Sequence, residues 1–550
     1  MVGCIVAWLI RQGGRLANAW LLAALICLSL PPLAAAAENR RVDAAAIDTA
    51  AIDAAFDAIV QRYPLPGLAI GVVVDGQVVY TRTTGERVVG SGQPIDTQTL
   101  FKIASNSKAM TAAVLGRLVD AGKLRWDDPV IKHLPDFAMH DPWVTQQLQV
   151  RDLLIHNSGL GPGAGDLMLW PEPNHFTRQD VIRGLRHLQP LYSFRSRYAY
   201  DNTLYIVAGE VAAAAAGVPF DQLLQREVFD PLRMTRCQAG AFDLQTVGNV
   251  AQPHGHQDGR TVVIRADPPQ VPETPMLAAG GIRCSLDDML RWVQAWLQPQ
   301  TARGPDGTPW LSQTQREAIW TTHTPMPLTA RMRRWDVSHF SGYGYGWRLT
   351  DVDGTAKVSH TGTLAGMYSA VTLLPEHDAG FVILVNADAD QARTVLNQVL
   401  VKAFTRPDAH LDVAHYASEL AREQIDAASP AQALQPAAET PYATAPELQA
   451  VLGHYRDPWF GGVSICADAD RHVRFQAMKS PKLVGPVRIA HGRPYVDWTD
   501  PTIETDAWLD FAATAAPGQA VRLRMAKVDP QADFSADFED LRLERIGPCR

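Results

Sequence analysis

Ser105-Asn106-Ser107-Lys108 opens a run of Ala, Met, Leu and Val that continues to residue 121. Its composition predicts a helix over 102–121. Residues three apart share a helix face, so Lys108 sets its amine beside the Ser105 hydroxyl. A serine hydroxyl is a weak nucleophile without an adjacent base. A lysine serves as that base only where burial or neighbouring charge lowers its pKa. Alone the tetrad is a weak signal. It fits a capped helix with a solvated lysine equally well, and with so few lysines it arises by chance in roughly a third to a half of such chains.

Two later stretches supply what that helix lacks. Tyr200-Asp201-Asn202 stands just ahead of a helical stretch at 203–216. A tyrosine works as acid or base, and an asparagine two positions on can orient a lysine and a substrate carbonyl. His360-Thr361-Gly362-Thr363 then leads into a strand signal at 369–374. Its glycine permits close backbone approach, and the amides of Thr363 and Ser105 are candidate oxyanion-hole donors.

Outward from these motifs, Ile52, Ala55, Phe56 and Ile59 predict an amphipathic helix over 47–62. Two β-rich runs within 68–82 flank Asp75-Gly76, a hairpin signal because a tight primed turn needs positive φ. A helical, loop-rich middle, with helices at 178–188, 203–216, 220–229 and 285–297, runs to about residue 300. Strands return at 369–374 and 380–386, and a helix follows at 393–404. This order predicts one antiparallel sheet built from two sequence-distant halves, covered by helices and carrying a helical insert: an α/β (α+β) sandwich. Residues 425–446, with Pro430, Pro436, Pro441 and Pro446 among Ala and Gln, read as a linker. Alternating stretches at 463–466, 472–475, 521–525 and 541–546 read as a small all-β domain.

In this order the three motifs resemble the serine β-lactamase and penicillin-binding-protein superfamily, specifically its class C β-lactamase-like branch, over roughly residues 48–405. Framework stretches match too: Trp126-Asp127-Asp128-Pro129-Val130, Leu153-Leu154-Ile155-His156-Asn157-Ser158-Gly159-Leu160, Ala279-Gly280-Gly281 and Tyr345-Gly346-Trp347. The resemblance implies the sandwich of the serine β-lactamase/DD-peptidase type. It implies Ser105 as acylated nucleophile, Lys108 as its base partner, Tyr200 as proton shuttle and Asn202 as positioning group. His360-Thr361-Gly362 becomes the strand edge along which substrate lies, and no cofactor or metal is called for. Whether Lys108 or Tyr200 is the acylation base stays open. One position departs from the pattern. Classical β-lactamases and transpeptidases carry Lys where this chain has His360, and a histidine of ordinary pKa near 6.5 is mostly neutral at pH 7. That weakens the case for carboxylate-bearing β-lactams and is similar to branch members acting as esterases or D-amino-acid peptidases. The tail beyond 446 resembles the small β domain often appended to such hydrolases.

Composition bounds the remaining choices. The chain has 550 residues, 47% hydrophobic and 20% charged, with a formal net charge of −8. That excludes global disorder, a multi-span membrane protein and the basic footprint of a nucleic-acid binder. Arg11 and Arg15 precede an apolar run at 20–30 and then Ala35-Ala36-Ala37, the pattern of a cleaved secretory signal. A spanning helix needs about 20 apolar residues, so no stable membrane span is expected after cleavage, and the location is periplasmic or secreted. Cys237, Cys284, Cys466 and Cys549 form an even set in a compartment that permits disulfides. Cys237 with Cys284 is one pairing among several. The expected division is signal 1–37, catalytic domain 38–424, linker 425–446 and β domain 447–550.

Competing motifs are weaker. No G-x-S-x-G elbow occurs, which argues against an α/β-hydrolase. His254-Gly255-His256 with Asp258 has metal-ligand chemistry but reads as a polar loop. Tyr343, Tyr345 and Trp347 read as pocket lining or as packing. The expected activity is hydrolysis, through an acyl-serine intermediate, of small-molecule or peptide substrates: esters, or D-amino-acid amides and peptides related to cell-wall peptide. The alternatives are a true β-lactamase or DD-carboxypeptidase, and a catalytically slow penicillin- or muropeptide-binding sensor. Oligomeric state is not written in the sequence.

Overall fold

The computed structural model of the chain describes residues 48–549 apart from 305–306, 410–411, 428–435, 437–439 and 513–520. The expected signal at 1–37 and much of the expected linker lie outside the described residues. Helix α1 (Thr49–Arg62) starts on Asp48, whose carboxylate accepts from the Ala51 amide, and it buries Ile52, Ala55, Phe56 and Ile59. Strands β1 (Gly67–Val74) and β2 (Gln77–Gly85) form the hairpin, with Asp75 and Gly76 at φ 48° and 73° as a primed turn requires.

Helix α2 (Ser107–Asp120) is shorter than the 102–121 helix the sequence suggests. Phe101–Lys102 pairs as a strand with Arg283–Cys284, and Ala104–Asn106 makes a 3-10 turn before the helix proper. Helices α3 (Thr203–Ala216) and α4 (Leu286–Leu297) follow. The chain then returns to the sheet as β3 (Thr324–Pro325), β4 (Ser341–Tyr343), β5 (Arg348–Val352), β6 (Thr355–Leu364), β7 (Met367–Leu374) and β8 (Ala379–Val385). Helices α5 (Asp390–Thr405) and α6 (Val413–Ala427) complete this part.

Among the described residues the sheet has eight strands in the order β2-β1-β8-β7-β6-β5-β4-β3, with every pairing antiparallel. Its centre is a fully buried strand, so both faces must be apolar. Successive side chains point to opposite faces. Thus Leu68, Ile70, Val72, Phe381, Ile383 and Val385 pack with Phe56, Ile59, Val395 and Leu396 of α1 and α5. Ala69, Val73, Val382 and Leu384 enter the second core with Met110, Val114, Leu290 and Val293 of α2 and α4. Residues 413–427 carried no helix expectation. They form α6, which buries Val413, Tyr416, Ala417 and Leu420 at helical spacing against the first core and ends three residues inside the stretch read as a linker.

Beyond it, Ala443 N–H already donates to Val487 O (2.8 Å). Strands β9 (Gly453–Asp457), β10 (Gly461–Ala467), β11 (Val473–Ala477), β12 (Val484–Ala490), β13 (Arg493–Val496), β14 (Ala507–Ala512), β15 (Arg522–Lys527) and β16 (Leu543–Gly547) close into an up-and-down barrel. Closure removes the exposed edges that a small sheet would otherwise present. Cys237 is bonded to Cys284, and Cys466 to Cys549. Among the described residues no single helix is long and apolar enough to cross a membrane.

Candidate active site

The site forms where the turn before α2 meets the free end of β6. Ala104 holds φ 49°, a left-handed conformation costing a non-glycine residue about 1–2 kcal/mol. Side chains brace it. Ser107 Oγ donates to Ala104 O (2.7 Å), Asn106 Nδ2 donates to Ser369 Oγ on β7 (2.8 Å), and Ser369 Oγ donates to Ile103 O (2.7 Å). Ser105 is left half-buried between buried neighbours.

One turn of α2 carries Lys108 inward to full burial. Its Nζ lies 3.1 Å from Ser105 Oγ, 2.7 Å from Asn202 Oδ1 and 2.8 Å from Ala279 O. Burial, opposed by Asp166 and Asp201 and reinforced by Arg348, lowers the lysine pKa to about 7. A neutral amine has two hydrogens and one lone pair. Ala279 O can only accept. So can Asn202 Oδ1, because Asn202 Nδ2 is committed to Asp166 Oδ2 (2.8 Å). Both hydrogens are therefore taken, and the lone pair is left for the Ser105 hydroxyl proton. Gly346, at φ 76°, lets the β4–β5 connection lie against this helix, since a Cβ there would sit 2.6 Å from Lys108 O.

Asp201 fixes the second motif. Its Oδ1 accepts from Thr203 Oγ1 (2.7 Å) and the Leu204 amide (3.2 Å), and its own amide donates to His156 Nδ1 (3.0 Å). Tyr200 and Asn202 on either side of it are thereby held toward Lys108. The Tyr200 hydroxyl is hydrogen-bonded with Ser105, and its ring centroid is 4.8 Å from Lys108 Nζ. Burial raises the tyrosine well above its ordinary pKa, so the phenol keeps its proton at neutral pH.

On β6, pairing with β5 stops at Arg348↔Ser359, whereas pairing with β7 continues to Leu364↔Met367. The two-residue turn makes Leu364–Met367 a hydrogen-bonded pair. Thr361 and Thr363, one step out of phase, therefore turn their backbone groups to the open edge. Gly362 is required by close approach, because a Cβ would lie 2.2 Å from Ile103 O. His360 is 1% exposed. Its Nδ1 donates to Thr361 O (2.7 Å), which can only accept, so Nε2 is left to accept from the Tyr343 hydroxyl (2.9 Å). Burial first, then Arg348 and Lys108, pushes its pKa well below the ordinary value. The imidazole is a neutral brace.

Arg348, Tyr198 and Asp166 were not found by sequence reasoning. Arg348 starts β5; its Nη1 donates to Thr361 Oγ1 (2.9 Å) and it bonds to Tyr198. Among the described residues it makes no salt bridge. The positive charge that His360 does not provide is therefore supplied from the neighbouring strand. Its only sequence signal is its place directly after Tyr345-Gly346-Trp347, and Asp166 has none. Trp347 packs among Trp292, Trp296 and Trp320, and Tyr345 stacks on His323 at 4.1 Å, so both are core. His254 is structural: Nδ1 donates to Asn386 O (2.9 Å) and Nε2 accepts from the Val89 amide (3.1 Å).

Sequence and structure comparisons relate the chain to known proteins. A family model described as Beta-lactamase matches residues 52–403. The chain is 26% identical over 438 residues to the unguisins hydrolase ungD' of Aspergillus campestris (strain IBT 28561), covering 76% of this chain and 78% of that protein. It is 26% identical over 336 residues to penicillin-binding protein 4 of Amycolatopsis lactamdurans, covering 60% and 83%. It is 23% identical over 376 residues to a beta-lactamase of Escherichia coli (strain K12), covering 62% and 90%. Among solved structures, the octameric penicillin-binding protein homologue from Pyrococcus abyssi superposes with a TM-score of 0.55 at 18% identity, covering 91% of this chain and all of that one.

Proposed function

Since the chain belongs to the Beta-lactamase family of serine hydrolases, we propose that it is an exported enzyme that forms an acyl-Ser105 intermediate from esters or from D-amino-acid amides and peptides related to cell-wall peptide. Export rests on the character of residues 1–37, and the two disulfide-bonded pairs suit an oxidising compartment.

One observation carries the mechanism: Lys108 Nζ lies 3.1 Å from Ser105 Oγ with Asn202 Oδ1 and Ala279 O as its other two neighbours, so an unprotonated amine that spends its hydrogens on those two turns its lone pair to Ser105. Lys108 takes the serine proton as Oγ attacks the substrate carbonyl. The developing oxyanion rests on the Ser105 and Thr363 amides. As the C–N or C–O bond breaks, Tyr200 gives its proton to the leaving group and is reprotonated from Lys108. A water molecule then adds to the acyl carbon, losing its proton through the same pair, and the acid leaves as Ser105 regains its hydrogen. A panel of p-nitrophenyl esters, D-alanine amides and nitrocefin tests the substrate class. Repeated turnover of the first two supports the reading, while arrest after one equivalent on every substrate supports the sensor instead.

The required form of Lys108 is the unprotonated one, present above its pKa of about 7. We expect kcat/KM for a neutral ester to rise with pH through about 7 and then level off, because the Tyr200 proton is held to far higher pH. A profile that falls across that range counts against Lys108 as base.

Arg348 favours the carboxylate-bearing members of this substrate range, including the DD-carboxypeptidase alternative, because a guanidinium beside the open edge with no carboxylate partner among the described residues suits a carboxylate. Arg348→Met is expected to raise KM for a peptide ending in free D-Ala by roughly 10–100-fold, the loss of a charge-assisted hydrogen bond of about 1.5–3 kcal/mol. On the high-pH plateau of the profile, where Lys108 is unprotonated in both proteins, the same change leaves a neutral acetate ester nearly unaffected. Equal effects on both substrates would remove the carboxylate from the reading.

A further inference from the structure

The barrel reaches into this site. Its segment between β15 and β16 sets Phe534, Ser535 and Asp537 against the loop at 163–167. Asp533 N–H donates to Glu504 Oε2 (3.1 Å), which holds the segment to the barrel. Asp537 accepts from the amides of Gly165 (2.6 Å) and Leu167 (3.0 Å). Ser535 Oγ donates to Asp166 Oδ2 (2.8 Å), the same oxygen that accepts from Asn202 Nδ2. Asn202 Oδ1 in turn accepts from Lys108 Nζ (2.7 Å). Phe534 packs its backbone on Gly163, where a Cβ would lie 2.5 Å from its carbonyl oxygen, and its ring centroid is 5.5 Å from that of Tyr200. The Phe534 side chain nevertheless remains 37% exposed. An apolar ring anchored on both sides yet open to solvent beside the proton donor is placed to meet a substrate.

We propose that the barrel completes the active site: Ser535 is a positioning residue that holds Asp166, and through it Asn202, against Lys108, and Phe534 is a specificity residue that limits the bulk of the leaving group beside Tyr200. The assignment rests on Ser105 and Lys108 being nucleophile and base. The chemistry follows from the chain of contacts. Asn202 must present its oxygen to the amine, and it does so only while Asp166 Oδ2 receives its amide hydrogens. A hydroxyl from the barrel is the second donor that fixes that carboxylate oxygen in place. Tyr200 protonates the departing group, so a ring against Tyr200 flanks the leaving-group side, not the acyl side.

The test uses the full-length chain and pairs of acetate esters, phenyl and 1-naphthyl, that differ only in the leaving group. Active sites are counted by fluorophosphonate labelling of Ser105, so that rates refer to competent enzyme. Phe534→Ala is expected to raise the naphthyl-to-phenyl ratio of kcat/KM about tenfold, within the range that a changed apolar pocket contact gives. Ser535→Ala is expected to lower kcat about tenfold with KM nearly constant, as for an interaction that orients the base. Burial already pushes the Asp166 carboxyl well above the usual carboxylate range, and losing the Ser535 donor pushes it further, so the aspartate supports the lysine proton less and the midpoint of the pH profile should also move downward. Ser535→Thr, which keeps the hydroxyl, should restore both. An unchanged leaving-group ratio overturns the role of Phe534. A kcat per labelled site and a midpoint that do not move in Ser535→Ala overturn the role of Ser535. Wild-type protein that fails to label at Ser105 instead overturns the nucleophile assignment beneath both.

Discussion

Ser105→Ala will end fluorophosphonate labelling and lower kcat/KM for a p-nitrophenyl ester by roughly 10⁴–10⁶-fold, the scale seen when the nucleophile of an acyl-transfer enzyme is removed. The remaining oxyanion-hole amides and binding surface still accelerate hydrolysis above the background in water, so the residual rate is small but not zero. Little else should change. Ser105 is half-buried and its partners are the Lys108 amine and the Tyr200 hydroxyl, so no packed side chain is lost and the melting temperature should barely move. Mass spectrometry of the labelled wild-type protein locates the adduct. Labelling that persists in the variant would sink the assignment of Ser105.

Lys108→Met is expected to slow acylation by roughly 10²–10⁴-fold, the worth of a general base. It tests more than the base. In this variant Asn202 Oδ1 and Ala279 O lose their donor in a buried setting, and each unmet buried acceptor costs about 1–3 kcal/mol. Stability should fall along with rate, unlike the serine variant. The rise of kcat/KM through pH 7 should vanish in Lys108→Met yet persist, at lower rate, in Tyr200→Phe. If the step at pH 7 survives without the lysine, another group is the base. Between Lys108 and Tyr200, desolvation favours the lysine as the proposed base, because it acts oppositely on the two. Burying a cationic acid lowers its pKa and burying a neutral one raises it. The same pocket therefore suits the lysine to the role of base near neutrality and the tyrosine to that of proton donor.

The motif residues were legible because each carries a chemistry that short spacing constrains. Ser105 and Lys108 share one turn of helix; Tyr200 and Asn202 flank the Asp201 cap; Gly362 is where a strand must touch the α2 turn. Arg348 was not legible, because its partner Thr361 is reached across a sheet ladder and not along the chain. The expectation drawn from His360 changes for the same reason: the missing charge sits on the adjacent strand, and the histidine itself is buried under Tyr343. Asp166, Ser535 and Phe534 were further out of reach. Asp166 lies hundreds of residues from the adjacent Phe534 and Ser535, and they meet only because the barrel docks where it does.

The sequence by itself determined the sandwich and the members of the proposed reaction machinery, because alternation along strands, a DG turn and three motifs are local patterns that local physics reads. It also carried the all-β tail, whose strands are marked by short-range alternation. Tertiary structure alone decided how that machinery is tuned. Protonation states depend on how many groups exclude water around Lys108, Tyr200 and His360, and the walls of the cleft depend on contacts between distant segments. Desolvation and long-range contact are properties of the packed assembly, and no window of sequence contains them.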